Sequence, residues 1–520
     1  MAIYQLNYNM LTGIHSRHKI CLPYGSAGSS PAIRTIAIGI LALMAAACSP
    51  ADDPNRIDIS VIGAAPKLGD PDRELLDPSR SVLMRETAMG LVAFDASGQI
   101  EPALAESWIV TDDGRSIVFR IHRMKWPDGR DVTGQDVAAS LNRAIAANSE
   151  NRFKPMLSAI NAVVGMTGRV VEIRLKTPRP TLLQLLAQPE LAIRRNGVGL
   201  GPWRIARRQG NALVMRPVPD PMADVADDAP PDAREIYLKG GRAALAVARF
   251  INDRSDLVLG GTVADWPIAE AARASGVNGL HRDPVEGLFG LAIIPSTLFL
   301  KERSLREGLA MAIDRGALGD ALSVPRWTAI ERLLPTQMDS GQLPASPDWT
   351  ANTLDERRAI ARQRIAAWES ARGAIKPVRV ALPAGPGMRI LFARIAADWR
   401  RIGVPAVMVP FNDAKADVRL IDEVAPNSSA NWYLTRTGCD YNVSCSTIGD
   451  FALSEARAAP SLGQRSAAIA RADAAYALQA GYIPIAKPLR WSFVKPVLTR
   501  YRDNGFGVHP FAELRAPAKN

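Results

Sequence analysis

The feature that most limits the fold of this chain is that no segment of its 520 residues repeats another. Because single domains usually hold about 100–200 residues, a non-repeating chain of this length must divide into several different cores. Hydrophobic residues make up 47% of the sequence and charged residues 22%, a balance that excludes disordered and fibrous chains. We therefore predict a globular protein of two or three domains.

The formal net charge of +11 raises nucleic acid as a candidate partner. The basic residues are scattered, however, and the tightest groups are pairs such as Arg207-Arg208 and Arg400-Arg401. A surface that follows a phosphate backbone usually carries denser charge with interleaved aromatic side chains. We therefore expect no nucleic-acid partner. The basic excess fits either an acidic ligand or an anionic membrane surface, and the sequence does not choose between them.

The amino-terminal region indicates export. The uncharged run from Ile36 to Ala47 is shorter than the about 20 apolar residues of a membrane span, and it fits the apolar core of a secretory signal. Cys48 follows three alanines, which resembles the lipobox of bacterial lipoproteins, in which the cysteine is acylated. We predict that residues 1–47 are a signal segment with a wrongly assigned start, and that residues 48–55 are a tether. The alternative is a buried helix with an incidental cysteine.

Two cysteines remain beyond the predicted lipidation site. Cys439 and Cys445 are close together in the sequence, and no histidine accompanies them. Their spacing does not fit a redox pair or a zinc site. In an oxidising compartment a disulfide that closes this short loop is plausible, and two free thiols are the alternative.

The pattern of apolar residues predicts a mixed α/β fold. Residues 56–63 alternate and are rich in β-branched side chains, so they predict a strand. Residues 108–121 predict a hairpin around an Asp-Asp-Gly turn. Thr133 is a natural N-cap for a helix whose apolar face begins at Val137. Strand and helix patterns alternate to the end of the chain.

Motifs for catalysis or cofactor binding are missing from the sequence. It contains no HExxH, no phosphate-binding GxxxxGK[ST], no GxSxG and no CxxC. The glycines of Gly197–Gly201 follow a GxGxG spacing with Pro202 next, which fails the dinucleotide pattern and indicates a connector between domains. After residue 47 the only histidines are His122, His281 and His509, too far apart in the sequence to predict a metal site. We expect no enzyme activity, no cofactor and no metal.

Several segments together are similar to a known family. The densest is residues 90–137, which includes GQIEPALAESW at 98–108 and KWPDG at 125–129. Further motifs are GLGPW at 199–203, LREGLAMAIDR at 305–315 and IPI at 483–485. On these motifs the chain resembles the family 5 extracellular solute-binding proteins, the peptide- and nickel-binding subunits of ABC importers. The resemblance spans about residues 54–515.

The resemblance implies an α/β fold, a two-lobe periplasmic-binding-protein fold with an extra domain inserted in the first lobe. A ligand would be trapped between lobes that close about two hinge segments, near residues 258 and 486. The implied division is residues 56–83, 196–258 and 486–520 for lobe I, residues 84–195 for the inserted domain, and residues 259–485 for lobe II.

The resemblance also implies a ligand site. Residues 436–442 are similar to the loop with which oligopeptide-binding members hold the α-ammonium of a peptide, with two residues missing. Asp440 would then bind the ammonium group and Arg436 a peptide carboxylate, and Tyr441 would also bind the ligand. Trp432 and Tyr433, on the approach to this loop, would line the cleft. The alternative is that Asp440 caps a surface turn.

The implied function is that of a monomeric, membrane-anchored periplasmic lipoprotein. It would bind a short peptide or peptide-like solute and deliver it to an ABC permease in the inner membrane. The alternative is a structural or regulatory lipoprotein that keeps the fold without import.

Overall fold

The computed structural model describes residues 56–219, 234–336, 338, 341–441 and 443–514. The predicted signal segment and the lipidation site at Cys48 lie outside these residues. Among the described residues, none of the helices combines the length and the apolar content needed to cross a bilayer.

Helices and strands alternate along the described chain, which confirms the predicted α/β class. The thirteen α-helices formed by these residues are α1 (Pro78–Thr87), α2 (Gly134–Ile145), α3 (Leu182–Leu186), α4 (Ala243–Ile251), α5 (Trp266–Ala274), α6 (Leu298–Lys301), α7 (Arg303–Ala312), α8 (Arg315–Leu322), α9 (Leu354–Arg372), α10 (Pro386–Arg401), α11 (Ala430–Arg436), α12 (Thr447–Ala458) and α13 (Leu462–Gln479). The strands are β1 (Arg56–Ile62), β2 (Val92–Phe94), β3 (Ile100–Pro102), β4 (Ala105–Thr111), β5 (Ser116–Ile121), β6 (Ile160–Thr167), β7 (Val170–Leu175), β8 (Arg194–Arg195), β9 (Val198–Gly199), β10 (Trp203–Gln209), β11 (Ala212–Pro217), β12 (Glu235–Gly241), β13 (Leu257–Gly261), β14 (Leu280–Asp283), β15 (Gly287–Ile293), β16 (Val378–Leu382), β17 (Ala406–Pro410), β18 (Val418–Val424), β19 (Tyr482–Ala486) and β20 (Arg490–Val494).

The first lobe is built on a sheet of seven strands in the order β10-β11-β12-β1-β13-β20-β14. Its centre is parallel, because β1 runs in the same direction as both of its neighbours, β12 and β13. Alternate residues of β1, namely Ile57, Ile59 and Val61, lie in one apolar core with Leu83 of α1. The predicted strand at 56–63 is therefore confirmed, and it forms the middle of the largest sheet.

The same sheet places the first crossing between lobes later than the sequence implied. After α4 and α5 the chain returns as β14, which pairs antiparallel with β20. Its four residues, Leu-His-Arg-Asp, show no apolar alternation, so the sequence does not reveal this strand. The chain leaves the sheet at residues 284–286 rather than near residue 258, and the second crossing is at 487–489. We propose a division into lobe I (56–83, 196–283 and 490–514), the inserted domain (84–195) and lobe II (287–486).

The inserted domain contains an antiparallel sheet in the order β4-β5-β7-β6, covered by α2. The predicted hairpin is confirmed as β4 and β5, joined through Asp112, Asp113 and Gly114, all at positive φ. The predicted cap at Thr133 is also confirmed. Its hydroxyl accepts from the backbone N–H of Asp136, whose carboxylate accepts from the backbone of Thr133 in return, which satisfies two free N–H groups of α2.

The inserted domain is joined to lobe I by two chain passages that lie against each other. The backbone N–H of Gly201 donates to the carbonyl of Thr87 at 3.0 Å. A Cβ atom on Gly201 would collide with the backbone of residues 86–88, and one on Gly199 would collide with Ala88. Glycine is therefore required here by close approach, and the joint between the two bodies is tightly packed.

Lobe II is built on a sheet in the order β17-β16-β18-β15-β19. Within this lobe Arg315, at the start of α8, connects two of the motifs that carry the family resemblance. Its buried guanidinium donates to the carbonyl of Pro484 at 2.9 Å and to that of Ala310 at 3.2 Å, and it also reaches Ile313. Hydrogen bonds of Arg315 therefore join the motif at 305–315 to the motif at 483–485.

The inserted domain contacts lobe II directly. Arg179 Nη2 donates to the carbonyl of Arg457 at 2.7 Å, and Gln188 Nε2 donates to the carbonyl of Pro426 at 2.8 Å. One apolar cluster also runs from the inserted domain into lobe II. The lobes are therefore in a closed arrangement.

Candidate functional site

A cleft of about 870 Å³ lies between the lobes. Both chain crossings reach it, the first at residues 284–287 and the second at Lys487. Lobe II adds residues 329–336 and the segment 425–428, which directly follows β18. Lobe I adds Gly505 and Phe506. A cleft bordered by both crossings changes shape when the lobes move, as a closing ligand site must.

An ion pair connects the two crossings at the cleft. Lys487 donates to Glu286, and both side chains keep about two fifths of their surface exposed. These residues are 201 positions apart in the sequence. Arg332 is exposed at the same cleft, and no ion pair or hydrogen bond of its side chain is found among the described residues. The cleft therefore presents the carboxylates of Glu286 and Glu331, the second of them paired with Arg357, together with an ammonium group and a guanidinium that has no partner among the described residues.

Two neutral polar groups in the cleft wall lack partners. The hydroxyl of Tyr433 and the Oδ1 atom of Asn427 are buried without a hydrogen bond within the described part of the chain. Burial also raises the pKa of Tyr433, so the hydroxyl keeps its proton and can donate as well as accept. Buried polar groups are almost always hydrogen-bonded in native proteins. Buried groups of this kind are typical partners of ordered water.

Phe506 is held in the cleft by a network from lobe I. The backbone N–H of Asn504 donates to Asp283 at 3.0 Å, and the backbone N–H of Phe506 donates to Asn504 Oδ1 at 3.0 Å. The ring of Phe506 also stacks on Phe94 of the inserted domain, with 4.4 Å between centroids. An aromatic side chain is therefore fixed opposite lobe II.

The structure does not bring the predicted ammonium-binding residue to this cleft. Asp440 is exposed in a short 3-10 turn and is not part of the cleft lining. The reason is where the loop comes in the fold. The loop that contains Asp440 follows helix α11, whereas the cleft is lined by the segment at 425–428, which follows strand β18. The structure joins Cys439 and Cys445 in a disulfide, and the backbone N–H of Cys439 donates to Asp450 at 3.2 Å. The loop is therefore fastened to α12.

The predicted carboxylate-binding residue already has a partner. Arg436 donates to Glu423 at 2.7 Å, and its guanidinium lies 4.6 Å from the ring centroid of Tyr441. Burial opposes ionisation of Glu423, but Arg436, Arg152 and Arg490 hold the pKa of its carboxyl below the ordinary value. Arg436 is therefore neutralised within the protein and is not a free site for a carboxylate.

The two predicted aromatic residues differ in their positions. Trp432 is 1% exposed and belongs to the apolar core, as aromatic side chains usually do. Tyr433 contributes to the cleft wall. Sequence reasoning missed Glu286, Arg332 and Lys487.

A profile of the family described as "Bacterial extracellular solute-binding proteins, family 5 Middle" matches residues 99–454 of this chain. Di/tripeptide-binding protein 1 of Pseudomonas aeruginosa is 21% identical over 492 residues, covering 82% of this chain and 87% of that protein. The probable deoxycholate-binding periplasmic protein YgiS of Escherichia coli is 29% identical over 120 residues, so this chain spans only 22% of its length.

Solved structures show the same fold. Haemophilus influenzae OppA in complex with the peptide RPPGFSPFR superimposes with a TM-score of 0.75 at 17% identity, covering 89% of this chain and 99% of that one. The murein tripeptide binding protein MppA of Escherichia coli gives 0.74 at 18% identity, covering 88% and 98%. An unliganded open form of MppA superimposes with a TM-score of 0.59 at 18% identity, covering 85% and 93%. The two-lobe fold with an inserted domain is thus shown, and the chain belongs to family 5 of the bacterial extracellular solute-binding proteins.

Proposed function

We propose that the protein binds a short peptide or peptide-like solute in the interlobe cleft and delivers it to an ABC permease. The observation that carries this proposal is the closed cleft of about 870 Å³ between both chain crossings. This volume lies within the range of small-molecule sites, about 300–1,000 Å³. Family membership supports a solute-binding role, and the relatives reported above include proteins named for di- and tripeptides and one solved with a peptide.

The charges of the cleft suit the two ends of a peptide. Arg332, which is exposed and unpaired among the described residues, is the candidate for a terminal carboxylate. Glu286 is the candidate for the terminal ammonium group of a peptide. This ammonium group would compete with Lys487 for the carboxylate of Glu286. Closing the lobes excludes water, and charge-assisted hydrogen bonds are then worth about 1.5–3 kcal/mol each.

We expect Arg332→Gln to weaken peptide binding by about 10- to 100-fold, since one charge-assisted contact is lost. Native mass spectrometry of the chain from Ser49 onward first identifies the peptides that remain bound after purification. Calorimetry then measures the affinities of the parent and the variant for these peptides. Peptides with an amidated carboxyl end should bind the parent and the variant equally. Glu286→Gln should weaken the binding of peptides with a free amino end and leave the binding of N-acetylated peptides unchanged.

The matched control is Asp440→Ala, because the family resemblance implies that Asp440 binds the ammonium group, whereas Asp440 does not line the cleft. We expect its affinity to equal that of the parent. A tenfold loss in Asp440→Ala, with Arg332→Gln unaffected, would return the site to the loop at 436–442 and contradict the assignment made here.

We propose further that the protein is exported to the periplasm and anchored by a lipid on Cys48. The support is the apolar run before this cysteine and the periplasmic relatives. Cys48→Ser should move the protein from the membrane fraction to the soluble periplasmic fraction, because the cysteine side chain carries the lipid. Fractionation with an antibody measures this, and a membrane-bound Cys48→Ser protein would rule out acylation at this position.

A further inference from the structure

A second cavity, of about 660 Å³, lies inside the first half of the closed molecule, between lobe I and the inserted domain. It shares no lining residue with the interlobe cleft. The Phe94–Phe506 stack stands between them, because Phe94 borders the second cavity and Phe506 borders the cleft. The second cavity is thus a separate compartment with its own walls.

The walls of this cavity are mostly apolar. They come from the end of α1, the chain passages around Gly90 and Gly201, and the carboxyl-terminal segment at Val508 and Pro510. Met89 and Met124 add flexible thioether side chains, which adapt to irregular apolar shapes. An occupant of this cavity needs an apolar body.

One cationic group in the cavity has no partner among the residues that the structure describes. Arg85, in the last turn of α1, is half-buried, and its guanidinium makes no hydrogen bond or ion pair with any described residue. Burial lowers the pKa of Arg85, and the carboxylates of Glu86 and Glu190 only partly oppose this effect. The adjacent Glu86 is turned to the backbone N–H of Phe511, from which it accepts at 3.2 Å. Arg85 is therefore a desolvated cation that an incoming anion would stabilise.

Further positive charge surrounds the cavity. Arg123 and Arg204 border it, both exposed and both without an ion pair among the described residues. Lys125 also borders it and lies 3.6 Å from Asp131 on the surface. Glu86 and Glu101 are the acidic residues of the lining, so the four basic residues outnumber them, and this balance favours entry of a negatively charged ligand.

From these observations we propose that the second cavity binds a small amphipathic anion, an apolar ring system or chain that carries one carboxylate, sulfonate or phosphate, with the anionic group on Arg85. This site goes beyond the proposed peptide-binding function and does not depend on it. The apolar body fills the cavity between lobe I and the inserted domain, while the cleft remains available to its own solute.

The test uses two fluorescent probes that differ only in a sulfonate: 1-anilinonaphthalene-8-sulfonate and its uncharged parent N-phenyl-1-naphthylamine. We expect the protein to bind one molecule of each. Arg85→Met should weaken the sulfonate by at least about tenfold, since one charge-assisted contact is lost, and leave the uncharged probe within about twofold. Ala93→Trp, which fills the cavity, should weaken both probes.

Control variants locate the probes. Arg332→Gln in the cleft should leave both affinities unchanged, and melting curves confirm that each variant is folded. Equal affinity of Arg85→Met and the parent for the sulfonate would overturn the role of Arg85. Unchanged binding of both probes in Ala93→Trp, or loss of the sulfonate in Arg332→Gln, would place the probes elsewhere and overturn the site.

Discussion

Replacing Arg315 by methionine is expected to lower the free energy of unfolding by about 3–5 kcal/mol, among the largest effects of a single substitution. Methionine keeps much of the side-chain length but cannot donate, so the buried carbonyls of Ala310, Ile313 and Pro484 lose their partner. Each buried acceptor left unsatisfied costs about 1–3 kcal/mol. Burial lowers the pKa of Arg315 to about 10, so the group is still charged at neutral pH. Chemical denaturation followed by tryptophan fluorescence measures the loss.

The matched control for this prediction is Arg303→Met in the same lobe. Arg303 pairs with Glu307 at 2.9 Å on the exposed face of α7, and exposed pairs contribute less than about 1 kcal/mol. If Arg315→Met were no more destabilising than this control, the junction between the two motifs would not contribute to stability.

Replacing Glu86 by glutamine is expected to remove a pH dependence of stability. Glu86 is 1% exposed, and burial raises the pKa of its carboxyl to about 8 against the opposing charge of Arg85. The folded state therefore holds this proton more tightly than the unfolded chain, and the parent loses stability as the pH rises from about 4.5 to about 8. Between pH 5 and pH 8 we expect a loss of about 3 kcal/mol in the parent that is absent in Glu86→Gln.

The comparison needs denaturation curves at several pH values for both proteins. Glu235→Gln serves as the control, because hydrogen bonds from Arg207 and Arg216 hold the pKa of Glu235 at about 2, so it titrates below this window. Its profile between pH 5 and pH 8 should follow that of the parent. Parallel profiles of the parent and Glu86→Gln would mean that Glu86 ionises at its ordinary pKa in the fold.

Features encoded by neighbouring residues could be predicted from the sequence. The hairpin of β4 and β5 follows from its turn residues, and the start of α2 follows from Thr133 and Asp136. The two-lobe architecture was implied by the motifs that resemble the family. The strand β14 could not be found, because four polar and apolar residues without alternation carry no signal and the strand forms only by pairing with the distant β20.

The ligand site was the least predictable part. The sequence of residues 436–442 is similar to a ligand-binding loop of the family. In this fold the loop comes after helix α11, and Asp440 does not line the cleft. The Glu286–Lys487 pair joins residues that only the fold brings together. A short sequence motif does not show which helix or strand precedes its loop, and that preceding element determines where the side chains of the loop lie.

The packed joint at Gly199 and Gly201 has a consequence for the energetics of closure. Because Gly199 and Gly201 lie against residues 86–88, the inserted domain is held to lobe I where the chain passes between them, and we expect the two to move together when the lobes open. The bonds from Arg179 and Gln188 to lobe II must then break in the same motion. These contacts favour the closed population even without solute, so the apparent affinity of any solute includes their free energy.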